Sequence, residues 1–315
     1  MKRFAFASLI FMAVTVISYS ISEATTAIIT EIKLGHGAVE IRHSRGKEWK
    51  PALPLQSLNA GDTIRVSKDA NVVIMFSGGE EIVRISSTNS PYEVKVQKAP
   101  SSRTQKAQAV LSEVAGFLAG KKKDVLSAPL AVRGLQRPPA IISPKDTKVS
   151  IQSVFEWIGT PRIPYTIRLM HENTKIWEKV KIYKTHIAYP KDEKPLSTGI
   201  RYLWEIETAG YPPVNAWFEI ATDSEKKGIE DELSFLNEPD YRSFPKSTIA
   251  VLKYGILVSR GFHAEGRNIL IEALAADPDE PVLHILLGDF YDNIGLKDLA
   301  AEEYDEANFL TTRKP

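Results

Sequence analysis

The hydrophobic period changes along this chain, and that change limits it to a multidomain fold with β modules ahead of a helical one. From Ala27 to Gln97, and again from Lys148 to Ala221, short runs of β type are broken by turn residues. From Asp223 onward apolar residues recur at three- and four-residue spacing and strand signals nearly vanish. At roughly 100 to 200 residues per domain, 315 residues hold two or three domains, each able to bury a core. Three is the expected number. With 43% hydrophobic and 25% charged residues, the bulk of the chain has the composition of a water-soluble folded protein.

The N-terminus carries the most decisive local signal. Lys2 and Arg3 precede an uncharged apolar stretch from Phe4 to about Ile21, which reads as a secretory signal. Small residues at Ser22 and Ala24 suit a signal-peptidase site, leaving Thr25 as the mature N-terminus. The competing reading keeps residues 4–21 as an inner-membrane anchor, since 18 apolar residues is near the lower limit for a bilayer of about 30 Å. Either way the chain from Thr25 onward is expected outside the cytoplasm, in the periplasm. The absence of cysteine excludes disulfides, a thiol nucleophile, a lipid-modified cysteine and thiolate metal ligation. Lys plus Arg total 40 against 39 for Asp plus Glu, so no net field favours nucleic acid or an anionic membrane.

Strands are expected at Ala27 to Lys33, Ala38 to His43, Asp62 to Val66, Asn71 to Phe76, Glu81 to Ser86 and Tyr92 to Val96. Asn59-Ala60-Gly61-Asp62 and Ser77-Gly78-Gly79-Glu80 supply turn chemistry between them. The order Gly37-Ala38-Val39, Trp49-Lys50-Pro51-Ala52, Leu58 to Arg65 and Ala70 to Phe76, closed by Ser77-Gly78-Gly79, resembles the periplasmic FecR-type domain. In the iron-dicitrate regulators that name the family, this domain follows a cytoplasmic anti-sigma segment and a membrane span. The resemblance covers about a quarter of the chain and implies an all-β, extracytoplasmic module.

Between Thr104 and Gly120, Ala107, Val110, Leu111, Val114 and Leu118 mark an amphipathic helix, ended by Gly120 and Lys121 to Lys123. Residues 127–146, with Pro129, Pro138, Pro139 and Pro144, read as a linker. The run from 147 to 222 contains seven expected strands, pointing to a β-sandwich. It resembles immunoglobulin- or fibronectin-like modules in its early Phe155-Glu156-Trp157 and late Tyr202-Leu203-Trp204. The rings of Trp157, Trp177, Trp204 and Trp217 are expected in the core; the alternative is a sugar-stacking platform for cell-wall glycan.

In residues 223–315, Asp223 or Ser224 is expected to cap a first helix running to about Phe235. Two windows starting at Ser247 and Pro281 then align Gly261 with Gly295, Gly266 with Ala300, Leu270 with Tyr304 and Ala273 with Ala307, a 34-residue period. The second window, with Leu287-Gly288, Tyr291, Gly295, Ala300, Tyr304 and Ala307, resembles the tetratricopeptide repeat. The first departs from it, with Tyr254 in the small-residue slot. In such arrays the first helices of the repeats line a concave protein-binding face. By register that face comprises Val251, Val258, Ser259, Ile285, Asp289, Asp292 and Asn293. Ten acids against Lys297 alone between Asp277 and Leu310 favour a basic partner segment.

Catalytic signatures are missing. The six histidines have no zinc-ligand spacing, and neither a nucleophile elbow nor a phosphate-binding glycine loop occurs. The expected protein is a non-catalytic envelope scaffold, without cofactor or metal, that binds a protein or peptide through the helical array and β modules. A sensory module of an envelope signalling system and a glycan-binding protein are the alternatives.

Overall fold

The computed structural model describes residues 26–78, 81–95, 105–121, 138–150, 154–160, 162–242 and 244–312. The leader and its cleavage site, Lys122 and Lys123, and the linker before Pro138 lie outside these residues. No described helix is long and apolar enough to cross a membrane. β modules occupy the N-terminal part and helices the C-terminal part.

The N-terminal module has eight strands: β1 (Ala27–Lys33), β2 (Val39–Arg42), β3 (Lys50–Pro51), β4 (Ser57–Leu58), β5 (Thr63–Val66), β6 (Asn71–Phe76), β7 (Ile82–Ser86) and β8 (Tyr92–Glu93). They form two four-stranded sheets, ordered β4-β1-β6-β7 and β3-β2-β5-β8. Ile29, Ile41, Ile64, Val72, Ile74 and Phe76 fill the space between them. Ile28, Val73, Met75 and Ile82 point out of the first sheet and join a second core with the helices. Burial on both faces explains why β6 reads Val-Val-Ile-Met-Phe instead of alternating.

Asp62 is the staple of this module. It is almost fully buried, and its carboxylate accepts from the amides of Ser44 (2.9 Å) and Asn59 (2.9 Å) and lies 3.1 Å from His43 Nδ1. Gly61 before it takes φ +86°, which a side chain would disfavour. The Gly-Asp pair thus closes the turn into β5 and fixes the loop after β2.

Helix α1 (Gln105–Ala119) follows. The central module is built from β9 (Ala140–Ser143), β10 (Thr147–Val149), β11 (Val154–Ile158), β12 (Tyr165–His171), β13 (Thr174–Ile182), β14 (His186–Ala188), β15 (Arg201–Glu207) and β16 (Val214–Ile220). A five-stranded sheet, β10-β16-β15-β12-β13, faces a three-stranded one, β14-β11-β9. β10 runs parallel to β16; the other ladders are antiparallel. Strand β9 corrects the linker reading of 127–146. Its alternation places Ile141 and Ser143 inward, it pairs with β11, and the Pro144 carbonyl accepts from Trp204 Nε1 at 2.7 Å. Flanking prolines do not prevent a strand at a sheet edge, where one side needs no amide donors.

The helical part comprises α2 (Asp223–Ser234), α3 (Pro239–Arg242), α4 (Lys246–Ser259), α5 (His263–Ala276), α6 (Pro281–Asn293) and α7 (Lys297–Thr312). The cap of α2 is Thr222, not Asp223 or Ser224. Its hydroxyl accepts from Glu225 N at 3.3 Å and the Glu225 carboxylate accepts from Thr222 N at 2.9 Å, a reciprocal box that Thr-x-x-Glu makes possible. Two helical hairpins, α4–α5 and α6–α7, turn at Gly261 (φ +85°) and Gly295 (φ +82°). A Cβ on Gly288 would lie 2.6 Å from the Tyr304 ring, so the second hairpin closes only over a glycine.

Both β modules dock on the array. From the central module, Thr147 Oγ1 donates to Gly261 O (2.9 Å) and accepts from His263 N (2.9 Å), Ser150 N donates to Glu265 (2.6 Å), and Arg267 pairs with Glu156 at 2.7 Å. From the N-terminal module, Ile32 N donates to Glu280 Oε1 at 3.1 Å, and Ser247 donates to Glu31.

Candidate protein-binding site

The face expected to receive a partner is largely closed by the chain itself. Val251 (0% exposed), Ile285 and Asp289 (5%) are buried in the core that the array shares with α1 and β1. Val258, Ser259 and Asp292 are partly covered, and Asn293 is exposed. Helix α1 buries Val110, Leu111, Val114, Ala115 and Leu118 in that core. Its contact with α4 is close: a Cβ on Gly255 would fall 2.6 Å from a Val114 methyl, and the Phe117 and Tyr254 rings lie 6.1 Å apart. Tyr254-Gly255 is where the first repeat departs from the second. The departure has a physical reason, because this stretch receives α1.

The acidic strip is occupied as well. Asp289 accepts from Tyr304 Oη at 2.7 Å and lies 3.6 Å from Lys121 Nζ, just past α1. Lys121 also sits 4.3 Å above the Phe117 ring. Burial holds the Lys121 ammonium below its usual pKa, against the pull of Asp289; burial and the Asp289 bond push the Tyr304 phenol up. Asp292 pairs with Lys297. The basic segment that this strip suits is therefore supplied, at Asp289, from within the chain.

What remains open is a cleft of about 620 Å³ between α3 and the first hairpin, which the sequence reading missed. Tyr241, Phe244, Ile249, Ala250, Ile269 and Ala273 give it an apolar interior. Lys246 and Lys253 stand on the α4 wall, Glu272 and Asp277 on the α5 side. Glu31 reaches in from β1, its carboxylate accepting from Ser247 and from Thr248 Oγ1 at 3.4 Å. Behind it, Asp277 pairs with Lys33, and Glu280 lies 3.5 Å from the same ammonium. Burial raises the pKa of both Glu31 and Glu280, the latter to about 8. The sequence signal was a carboxylate in the mainly apolar strand Ala-Ile-Ile-Thr-Glu-Ile; its partners, more than 200 residues away, were not readable.

The glycan platform is corrected by burial. Trp157, Trp177 and Trp204 lie in the central core, with Phe155 4.9 Å from Trp204. Trp217 alone of the four is half-buried, covered by the Arg201 guanidinium at 4.1 Å. Among the described residues no group of three or more His, Cys, Asp and Glu is placed to hold a metal ion. His284 Nδ1 lies 2.7 Å from Glu303, and its Nε2 lies 2.9 Å from the Pro278 carbonyl.

No family model matches the chain, and no curated protein matches it. Among solved structures, a multi-domain immunophilin from Arabidopsis thaliana aligns with 52% of this chain and 97% of its own, at 11% identity and a TM-score of 0.19. That score is too low for the alignment to inform fold or function.

Proposed function

We propose that this chain is a non-catalytic extracytoplasmic scaffold that holds an envelope protein in the cleft between α3 and the α4–α5 hairpin. The observation that carries this reading is the cleft itself, an apolar interior between a basic wall and an acidic wall. That surface suits a peptide segment with an apolar side chain flanked by charges of both signs, the basic one toward Glu272. The N-terminal module is read as FecR-like and the central one as immunoglobulin- or fibronectin-like. The array is read as tetratricopeptide-like, supported by turn glycines at 261 and 295, one repeat length apart. Both β modules brace the array, and α1 fills the face where such arrays usually take ligands.

The test is crosslinking co-purification from envelope fractions with the full chain. Removing the array would strip the cover from Ile28, Val73 and Met75, so point variants are needed. Ala276→Trp, at an exposed position lining the cleft, fills it, and Glu272→Lys inverts one wall. A partner captured by the wild type and lost with both variants supports the reading. The same partner retained by both overturns it.

A further inference from the structure

The N-terminal module has two outer faces, and they are unlike. One, carrying Ile28, Val73 and Met75, packs on the helices. The other belongs to the β3-β2-β5-β8 sheet and points away from the array. On it the Trp49 ring is approached by two guanidinium groups, Arg42 at 4.9 Å and Arg65 at 4.4 Å from its centroid. The loop from β2 to β3 adds exposed Arg45 and Lys47, and β3 opens with exposed Lys50. Against these stand Glu48, Glu40 and, opposite Thr63 on β8, exposed Glu93, and Glu40 is held by Arg65 at 2.6 Å, which leaves five basic side chains against three acidic ones. Just beyond β3, Leu53 is 45% exposed. The chain is nearly neutral as a whole, so this concentration of positive charge around a tryptophan is local.

The position of the loop in the module says what such a patch would meet. Thr26 N donates to Leu58 O at 2.8 Å. The turn that begins one residue later, at Asn59, is tied through Asp62 to His43 and Ser44. The start of β1 and the basic loop therefore flank the same turn at one end of the module. The apolar stretch ending near Ile21 lies five residues before Thr26, within about 18 Å along an extended chain. Were that stretch to enter the membrane during export, the chain would join the module, at Thr26, at the end that carries the basic loop. Tryptophan favours the headgroup level of a bilayer, and lysine and arginine are drawn to anionic headgroups.

We infer that the Arg42–Lys50 loop with Trp49 and Arg65 docks on the surface of an anionic phospholipid bilayer, next to the N-terminal segment. This holds whether that segment is removed or kept. The contact turns the array, on the other side of the module, away from the lipid.

The test uses the chain beginning at Thr25, sedimented with vesicles of phosphatidylcholine alone or of equimolar phosphatidylcholine and phosphatidylglycerol. Binding is expected to the anionic vesicles only and to weaken with added salt. Arg42→Gln/Lys47→Gln/Lys50→Gln should lower the affinity about a hundredfold, from roughly fivefold for each basic side chain near the surface. The exposed control Lys179→Gln/Lys181→Gln/Lys184→Gln in the central module should bind as wild type. The inference is overturned by wild-type chain that ignores anionic vesicles, by a loop variant that binds them equally well, or by a control that loses as much. It is also overturned if inorganic polyphosphate binds and vesicles do not. Should the loop variant fail to fold, insensitivity of wild-type binding to salt overturns it. Ala276→Trp should leave vesicle binding intact, so this inference and the scaffold reading fail separately.

Discussion

Glu280 makes the joint between the N-terminal module and the array sensitive to pH. It is 0% exposed at the N-terminus of α6, with Oε1 accepting from Ile32 N at 3.1 Å and Val282 N at 3.2 Å. Burial pushes its pKa from 4.5 to about 8; Lys33 pulls it back and Glu31 adds to the rise. Because the folded state holds this proton more tightly than the unfolded one, the stability it brings is complete below pH 4.5 and is lost as pH rises through 8. At about 1.4 kcal/mol for each pH unit between those values, the loss is on the order of 5 kcal/mol. The raised pKa of Glu31, also caused first by burial, acts in the same direction. Glu280→Gln keeps a carbonyl acceptor for the two amides and carries no charge at any pH. Urea unfolding of both proteins between about pH 5 and pH 8 should show the wild type losing several kcal/mol more than the variant, which becomes the more stable at the upper end. Parallel curves, or a variant less stable than wild type at about pH 8, would refute the argument that Glu280 is folded in its neutral form.

Three further outcomes follow from the packing. Asp289→Lys, harmless if Asp289 were a surface residue, should destabilise the protein by about 3–5 kcal/mol, since it leaves Lys121 facing a second buried cation; unchanged urea stability would show that the site is open. Gly255→Val should cost about 1–3 kcal/mol by driving a methyl into Val114 and should speed hydrogen exchange along α1. Unaltered exchange would mean that α1 is not seated on α4. Acrylamide should quench only a minor part of the tryptophan emission, from Trp49 and Trp217, because Trp157, Trp177 and Trp204 are enclosed. Quenching of the majority would reopen the aromatic-platform reading.

The change of period along the chain was enough to order β modules before helices, because alternation and helical spacing record which side of each element is covered. Turn chemistry was legible for the same local reason, as at Gly61, Gly261 and Gly295, where positive φ is a property of the residue itself. Strand β9 was not legible: Ala-Ile-Ile-Ser among prolines becomes a strand only because β11 offers it an edge. The burial of three residues of the expected binding face was not legible for a related reason. Register along α4 and α6 indicates which side chains share a face, but it carries no information about what covers that face. Val251, Ile285 and Asp289 are buried because α1 and β1, over a hundred residues earlier, fold back over them. Sequence alone therefore determined most of the local conformations and the order of β and helical modules, β9 apart. Only the tertiary structure decided which surfaces stay free, since burial depends on contacts between segments far apart in the chain.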